Sequence, residues 1–339
     1  MWRRKPWLRP TVDSLGEGGQ APIFRVIDLE ATTGHCQTIR DLINDPRRRF
    51  ALLKEPPIWF QVCVSLDTIE DCELAFAEFK PAMPASLGGR YLFVHGLLQC
   101  LFIQQDALSH LASALAIAET YTKNPRLVEI REIRNDVTGH PTRRDRRGRK
   151  LSFHSISRSS IGSSDLQVLS DYEDGSTQIR DIDLTNLIED QRSFAAVLLQ
   201  HVVEAMEAAD AAHRKEFKMV RLIDLFAPTQ HALEQIHEGI SKPGFASMGK
   251  WGIDQLRLVR SSLANALVER GTGVEAYEGL KDHYDRLEYP LNQLQAYFEK
   301  LADGEIRVPE MAEIVASYVG NEFASLRGVA KELDDDYAR

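Results

Sequence analysis

Hydrophobic residues recur every three or four positions over most of this chain, which is the spacing of one face of an α-helix. The spacing predicts a helix over 58–79, a strongly apolar helix over 90–119, and a third helix that begins near Pro125 and stops at Gly139-His140-Pro141. In the apolar helix the hydrophobic residues extend around most of the circumference, as is typical of a helix in the middle of a bundle. The second and third helices are therefore expected to form a helical hairpin.

The hydrophobic period changes after residue 150. The segments "KLSFHSIS", "DLQVLSDY" and "STQIRDIDL" are rich in residues that favour β-strands. The dipeptide Asp174-Gly175 lies between the second and third segments and is typical of a tight hairpin turn. We expect a small antiparallel β-element between about 150 and 183.

Helical spacing returns in the C-terminal half. A long helix is predicted from about Thr185 past His213, stopping before Pro228. Hydrophobic residues then alternate three and four apart over 277–301, and Pro290 should kink this seam or split it into two helices. A last helix from Pro309 is expected to bury Met311, Ile314, Tyr318, Leu326 and Val329. These stripes favour bundle packing within the chain, and a seam for a partner or a second copy is the alternative.

The first residues follow a different pattern. Residues 1–22 are rich in Gly, Pro and Arg without periodicity and are expected to form a mobile arm or a surface extension, followed by a short strand, "IFRVIDL". The predicted fold class is mainly α, with a small antiparallel β-element inserted. We expect three segments: an N-terminal extension with helices over 1–87, a helical hairpin plus β-element over 88–183, and a C-terminal helical region over 184–339 that packs on that core.

Composition places the chain among globular proteins. Its 339 residues are enough for about two domains, and 43% hydrophobic with 27% charged residues is an ordinary globular balance. No apolar run approaches the roughly 18 residues that span a bilayer, and no apolar segment of signal-peptide type follows the basic first residues. We expect a cytoplasmic protein with no membrane partner.

Charge and cysteine spacing narrow the candidate chemistry. The four cysteines are scattered, without a C-x-x-C pair, which indicates neither a zinc site nor a disulfide framework. The formal net charge of −9 disfavours a protein coated with positive charge for nucleic-acid binding, so any site for a polyanion must be local. We expect no metal and no other cofactor.

Two segments approach known ligand motifs and then depart from them. "GFASMGKW" nearly matches a phosphate-binding loop, but Trp251 stands where a hydroxyl should meet magnesium, and no strand precedes it. "HALEQIHEGI" places His231, Glu234 and Glu238 on one helix face, without the spacing of a known zinc motif. A solvated helix surface is the favoured interpretation of the second segment.

The segment "IREIRNDVTGHPTRRDRRGRK", residues 130–150, carries the strongest chemical signal. Arg134 and His140 would not share a face of an ideal helix, so the helix must end between them. Gly139 is expected to allow a left-handed exit, and Pro141 should keep His140 out of the helical region. Asp136, four residues before His140, is a candidate to orient its ring.

Two interpretations of this segment are open. In the chemical one, Arg134 holds a phosphate and His140 moves protons near neutral pH. A following basic strip would neutralise neighbouring phosphates; its members are Arg143, Arg144, Arg146, Arg147, Arg149 and Lys150. In the other interpretation, Arg134 and His140 cap the C-terminus of a helix and the basic strip is a solvated loop.

The run "REIRNDVTGHP", behind the helix "YLFVHGLLQCLFIQQDAL", resembles the HEPN superfamily. That family is marked by an arginine, four to six further residues, and a histidine, often with a polar residue directly after the arginine. Arg134, Asn135 and His140 fit this pattern with five residues between Arg and His. The resemblance covers residues 88–142, about a sixth of the chain.

The resemblance implies a HEPN-like helical bundle that dimerises with two motifs facing one cleft. Many HEPN proteins are metal-independent endoribonucleases of toxin–antitoxin, CRISPR-associated and phage-defence systems. Carried onto this chain, His140 would be general acid or base, Arg134 would stabilise the phosphate, and Asn135 would orient the substrate or the motif. The expected partners are RNA, a second copy of the chain, and an antitoxin or regulatory protein.

Two other hypotheses stay open. Some HEPN members have lost cleavage, and the chain would then be a module that binds RNA, a nucleotide or a protein. A helical scaffold that recruits a protein through the seam over 277–301 is the third hypothesis.

Overall fold

In the computed structural model, residues 29–79, 84–118, 123–161, 165–302 and 308–338 are described. They form a mainly helical chain with one small antiparallel sheet, which confirms the predicted fold class. The extension expected over 1–22 lies outside these ranges, as does the predicted strand up to residue 28. The described residues divide into two compact units: residues up to 42 with 55–209, and 43–54 with 210 onward.

The elements follow one another in this order along the chain. The helices before the sheet are α1 (Leu29–Ile43), α2 (Pro46–Leu53), α3 (Pro56–Glu78), α4 (Leu87–Ala114) and α5 (Pro125–Arg134). The strands are β1 (Ser152–Ile156), β2 (Asp165–Tyr172) and β3 (Thr177–Asp183). The later helices are α6 (Leu184–Phe217), α7 (Thr229–Ser241), α8 (Ala246–Glu269), α9 (Glu278–Arg286), α10 (Glu288–Ala302) and α11 (Pro309–Ala338).

The core of the first unit joins the predicted hairpin to the sheet. Buried side chains of α4 and α5, such as Leu98, Leu101 and Ile130, pack in one cluster with Val168 of β2. Leu187, near the start of α6, belongs to the same cluster. Because the first part of α6 is needed to cover this core, the division between the units falls near residue 209, within α6, and not at the expected 183.

The sheet has the order β1-β2-β3, and both strand pairs are antiparallel. The turn between β2 and β3 contains Gly175 with φ of +79°, a conformation that favours glycine. The Asp174 carboxylate accepts a hydrogen bond from the Ser176 backbone N–H at 3.0 Å, which fixes this turn. The β-element predicted over 150–183 is thus confirmed, including its hairpin.

The second unit is a helical bundle in which the seam over 277–301 is core. Leu280, Leu287, Leu291, Leu294 and Phe298 are all at most 1% exposed and lie in its hydrophobic cluster. The seam splits at Leu287, so that Pro290 falls in the first turn of α10. There its missing N–H removes no helical hydrogen bond. These burials support packing within the chain as the interpretation of the seam.

The expected buried face of the last helix is wrong for three residues. Met311, Ile314 and Tyr318 are 59%, 63% and 41% exposed, whereas Leu326 is buried. The buried face instead contains Ala312, Ala316, Val319, Phe323, Leu326 and Ala330. Alanine lets neighbouring helices approach closely, so α11 packs through its small residues and leaves several large ones outside.

Candidate active site at the end of helix α5

Helix α5 begins where its sequence predicts. Asn124 caps the first turn by accepting a hydrogen bond from the Arg126 N–H at 3.0 Å, and Pro125 occupies the first helical position. Leu127, Ile130 and Ile133 are buried against the core of the first unit. The opposite side of the last turn consequently presents Arg134 away from that core.

The helix ends in a wider, π-helical turn over Asn135–Gly139. The His140 N–H donates to the Asn135 carbonyl at 2.8 Å, five residues back, and such turns recur at functional sites. His140 has φ of −140° and ψ of 48°, outside the helical region, as Pro141 requires. The prediction that Gly139 leaves the helix in a left-handed conformation is wrong. Gly139 is not among the described residues that have a positive φ.

Arg134 is held by uncharged groups. Its Nε and Nη2 donate to Gln99 Oε1 at 3.1 and 2.8 Å, and its Nη1 donates to Asn135 Oδ1 at 2.9 Å. The guanidinium also lies over the Phe102 ring, 4.2 Å from the centroid. Three of the five N–H donors of a guanidinium are thus used, and no carboxylate cancels its charge within the described residues. These contacts do not cap the helix.

Arg134 lies directly against Gly139. A Cβ at residue 139 would be 3.1 Å from Arg134 Nη1 and 3.4 Å from Asn135 Oδ1. The turn is also tied to α4 by His95, whose Nδ1 is 3.0 Å from Thr138 Oγ1, and burial lowers the pKa of that histidine. The guanidinium therefore packs beside the residue that precedes His140.

His140 is exposed at the mouth of an open depression of about 450 Å³. Its ring makes no hydrogen bond or ion pair with the described residues. The side chains that line the depression are Glu132, His140, Arg143, Arg144, Asp145 and Arg146. Arg134 is not among them, so of the two motif residues only His140 lines the depression.

Asp136 was expected to orient His140, but its carboxylate contacts other residues. Asp136 is 7% exposed and pairs with Arg144, with Arg146 at 3.4 Å and with Arg180 at 3.2 Å. His154 Nε2 lies 3.4 Å from the same carboxylate. All four partners come from the loop after His140 or from the sheet, so Asp136 fastens the turn to the β-element.

His154 is a buried, uncharged member of this cluster. Its ring nitrogens lie 3.0 Å from Ser152 Oγ and 2.9 Å from Ser170 Oγ. Burial first, and then the positive charges of Arg144, Arg180 and Arg146, lower its pKa to about 4. Its backbone N–H donates to the Pro141 carbonyl at 2.7 Å, so β1 also holds the chain directly after His140.

The six residues of the predicted basic strip do not form one surface. Arg144 is 6% exposed and donates from Nη1 to the Glu132 carbonyl at 3.0 Å, while Arg146 pairs with the Glu132 carboxylate. The Arg149 guanidinium lies 3.6 Å from the same carboxylate, and Lys150 pairs with Asp174. The other two, Arg143 and Arg147, are exposed and make no side-chain hydrogen bond or ion pair within the described residues.

Sequence reasoning missed the partners of the motif. Gln99, Phe102, His154 and Arg180 were not predicted as site residues, and all four come from other elements. The one usable signal was Gln99, a polar residue inside an otherwise apolar helix segment, "LLQCLF". Nothing in the spacing of the chain links Arg180 to Asp136, because a strand pairing decides that contact.

The two rejected ligand motifs have structural roles. Gly249 lies inside α8, where a Cβ would be 2.2 Å from the buried Phe298 ring, so the glycine serves helix packing. The ring of His231 packs edge-on against Trp251 at 5.5 Å between centroids. Across the described ranges, no group of three or more His, Cys, Asp or Glu side chains is arranged to hold a metal ion.

Comparisons with protein-family models, with curated proteins and with solved structures found no match to this chain. Within the described residues, no helix combines the length and apolar character needed to cross a membrane.

Proposed function

We propose that this protein is a metal-independent endoribonuclease of HEPN type, with Arg134 and His140 as catalytic residues. The observation that carries the proposal is the environment of Arg134. Its guanidinium is oriented by Gln99, Asn135 and Phe102, which carry no charge, and two of its N–H donors stay available for phosphate oxygens. A structural arginine would be expected to pair with carboxylates, as Arg144 does.

The reaction is an attack of the ribose 2′-oxygen on the adjacent phosphorus. A bond from the 2′-oxygen to phosphorus forms and the bond to the 5′-oxygen breaks, leaving a 2′,3′-cyclic phosphate and a 5′-hydroxyl. A general base takes the 2′-hydroxyl proton and a general acid gives a proton to the leaving 5′-oxygen. Arg134 stabilises the charge that develops on the phosphate oxygens, and Asn135 positions the guanidinium.

Each chain contributes one His140, whereas the reaction uses a general base and a general acid. Two histidines, one from each copy, would fill these two roles. A homodimer with facing motifs provides the second one. The exposed ring of His140 is compatible with a cleft shared between two copies. DNA, which lacks the 2′-hydroxyl, is not a substrate of this chemistry.

The cellular role in this proposal is that of a toxin or phage-defence effector, restrained by an antitoxin or regulatory protein. It is supported by the resemblance of residues 88–142 to the HEPN superfamily, many members of which are ribonucleases of such systems.

The test is cleavage of total tRNA and a structured mRNA in EDTA by wild type, His140→Ala and Arg134→Ala, followed by end-group analysis. Wild type is expected to leave cyclic-phosphate ends, and both variants to be inactive with unchanged melting temperatures. His110→Ala and Arg327→Ala are matched controls, because both side chains are exposed and make no side-chain hydrogen bond or ion pair within the described residues. Retained cleavage in both motif variants would overturn the proposal.

A non-catalytic HEPN-like module that binds RNA, a nucleotide or a protein is the second candidate. The observation that favours it is the separation of Arg134 from the lining of the depression. This candidate predicts salt-dependent RNA binding without cleavage at any protein concentration. Cyclic-phosphate ends produced by wild type alone would exclude it.

A further inference from the structure

The depression beside His140 has an unusual lining for a pocket of its size. Every side chain that lines it is charged or ionisable, and the imidazole of His140 is the one aromatic ring among them. Small-molecule pockets of several hundred Å³ are ordinarily lined by apolar groups with a few polar ones. The depression is therefore suited to a charged ligand.

The charges around the depression do not cancel. Three arginines face two carboxylates in the lining, which leaves an excess of one positive charge. Behind the lining, Arg149 and Arg180 outnumber Asp136, which adds one more. The pKa of Arg144 falls to about 10, first through burial and then through repulsion from Arg149 and Arg180. Binding of an anion would relieve this repulsion.

We infer that the depression is a phosphate subsite, which binds the phosphate group next to the one that is cleaved. This role rests on the proposed ribonuclease function, since His140 lines the depression and would act on the neighbouring linkage. Arginine guanidinium groups bind phosphate oxygens through paired hydrogen bonds. A volume of about 450 Å³ accommodates a phosphate with its sugar.

The three arginines of the lining have different tasks. Arg144 is fixed in the wall by Asp136 and the Glu132 carbonyl, so it supplies charge without moving. Arg146 is partly exposed, with 26% of its side chain accessible, although it is tethered to Glu132. Arg143 is exposed and makes no hydrogen bond or ion pair within the described residues, so it is the arginine free to close on a ligand.

Through this subsite the enzyme recognises the sugar–phosphate backbone of the RNA. Because the arginines of the lining bind the phosphate, and because stacking of a base on an arginine or a histidine tolerates any base, cleavage should depend little on the identity of the neighbouring base. A dinucleotide without a flanking phosphate should bind weakly, and one added terminal phosphate should raise its affinity.

The experiment measures binding of short, uncleavable RNA to the full chain by calorimetry. The ligands are a dinucleotide with a 2′-O-methyl group at the reacting ribose, the same dinucleotide with a 5′-phosphate or with a 3′-phosphate, and inorganic phosphate. One terminal phosphate on the correct side should tighten binding by about tenfold, the effect of one charge-assisted hydrogen bond. Arg143→Ala should remove this gain, whereas Arg147→Ala, an exposed arginine outside the lining, should keep it.

A gain from either the 5′- or the 3′-phosphate that depends on Arg143 supports the subsite and gives the direction in which the strand runs. Equal losses in the Arg143 and Arg147 variants would overturn it, because the effect would then come from diffuse positive charge. Binding of inorganic phosphate with no gain for either phosphorylated dinucleotide would also overturn it. Since these ligands are not cleaved, a failure of the ribonuclease proposal in the EDTA assay leaves the binding result separately measurable.

Discussion

Two substitutions of Gln99 separate the orientation of the Arg134 guanidinium from its positive charge. Gln99→Glu keeps an oxygen that accepts from Arg134 Nε and Nη2, so the guanidinium should keep its position and the fold its stability. The new carboxylate, however, neutralises the arginine. Gln99→Met removes the acceptor and leaves the charge, so the guanidinium keeps its attraction for phosphate but loses its fixed direction.

The size of the charge effect follows from the geometry. A phosphate bound to the remaining guanidinium donors would lie roughly 6 Å from a carboxylate at position 99, across the width of the guanidinium. At an effective dielectric constant of about 20, the repulsion between them is about 3 kcal/mol, and it falls to about 0.7 kcal/mol in a water-like medium. These limits correspond to a loss of RNA cleavage between about threefold and about a hundredfold.

The assay compares initial cleavage rates and melting temperatures of both Gln99 variants at low and moderate salt. Gln99→Glu is expected to melt at or above the wild-type temperature and to cleave slowly at every RNA concentration. Gln293→Glu, at an exposed residue of α10 whose side chain makes no hydrogen bond within the described residues, adds the same charge outside the motif and should leave cleavage unchanged. Wild-type cleavage by Gln99→Glu would refute the argument that uncharged partners keep Arg134 available.

Three further substitutions test the motif turn, the buried histidine and the second unit. Gly139→Ala should slow RNA cleavage about tenfold without lowering the melting temperature, because the added Cβ, 3.1 Å from Arg134 Nη1, displaces only the end of a flexible side chain. Folding favours the neutral form of His154, so stability is highest above pH 6.5 and falls as the pH is lowered towards 4. At pH 5 the free energy of unfolding of the wild type, measured in urea, should be lower by about 2 kcal/mol than at neutral pH, and His154→Gln should not show this decrease. Gly249→Ala should destabilise the second unit by about 3 kcal/mol or more in thermal unfolding, since its Cβ would lie 2.2 Å from the buried Phe298 ring.

Each of these has a control within the chain. Gly96→Ala and Gly328→Ala place a methyl group where no atom outside the neighbouring helix backbone lies within 4 Å, so both should leave cleavage close to wild type and raise the stability by about 1 kcal/mol, the ordinary gain of alanine over glycine in a helix. Replacement of His110, an exposed histidine, should leave the loss of stability at pH 5 in place. If Gly139→Ala cleaved RNA at the wild-type rate, the contact between Arg134 and residue 139 would have no part in catalysis. An unchanged pH profile in His154→Gln would assign the acid sensitivity to other groups.

The periodicity of the sequence predicted the mainly helical fold class and the inserted sheet. The apolar helix before Pro125, the strands around Asp174-Gly175 and the long helix after Leu184 are each specified by local spacing and by turn residues. The buried face of α11 shows where this fails. Large side chains at Met311 and Ile314 suggested the core, but the first turns of the helix pack through Ala312 and Ala316, whose hydrophobicity is weak in the pattern.

By itself the sequence determined the mainly helical fold, the inserted sheet, and the position of Arg134, Asn135 and His140 at the end of one helix. Only the tertiary structure decided that Gln99 and Phe102 hold Arg134 without neutralising it, and that Asp136 belongs to the sheet rather than to His140. Helical and strand periods arise from interactions between near neighbours, which spacing reveals. The charge state and partners of a site depend on residues that packing brings together from distant elements, and one sequence carries no periodic signal for those contacts.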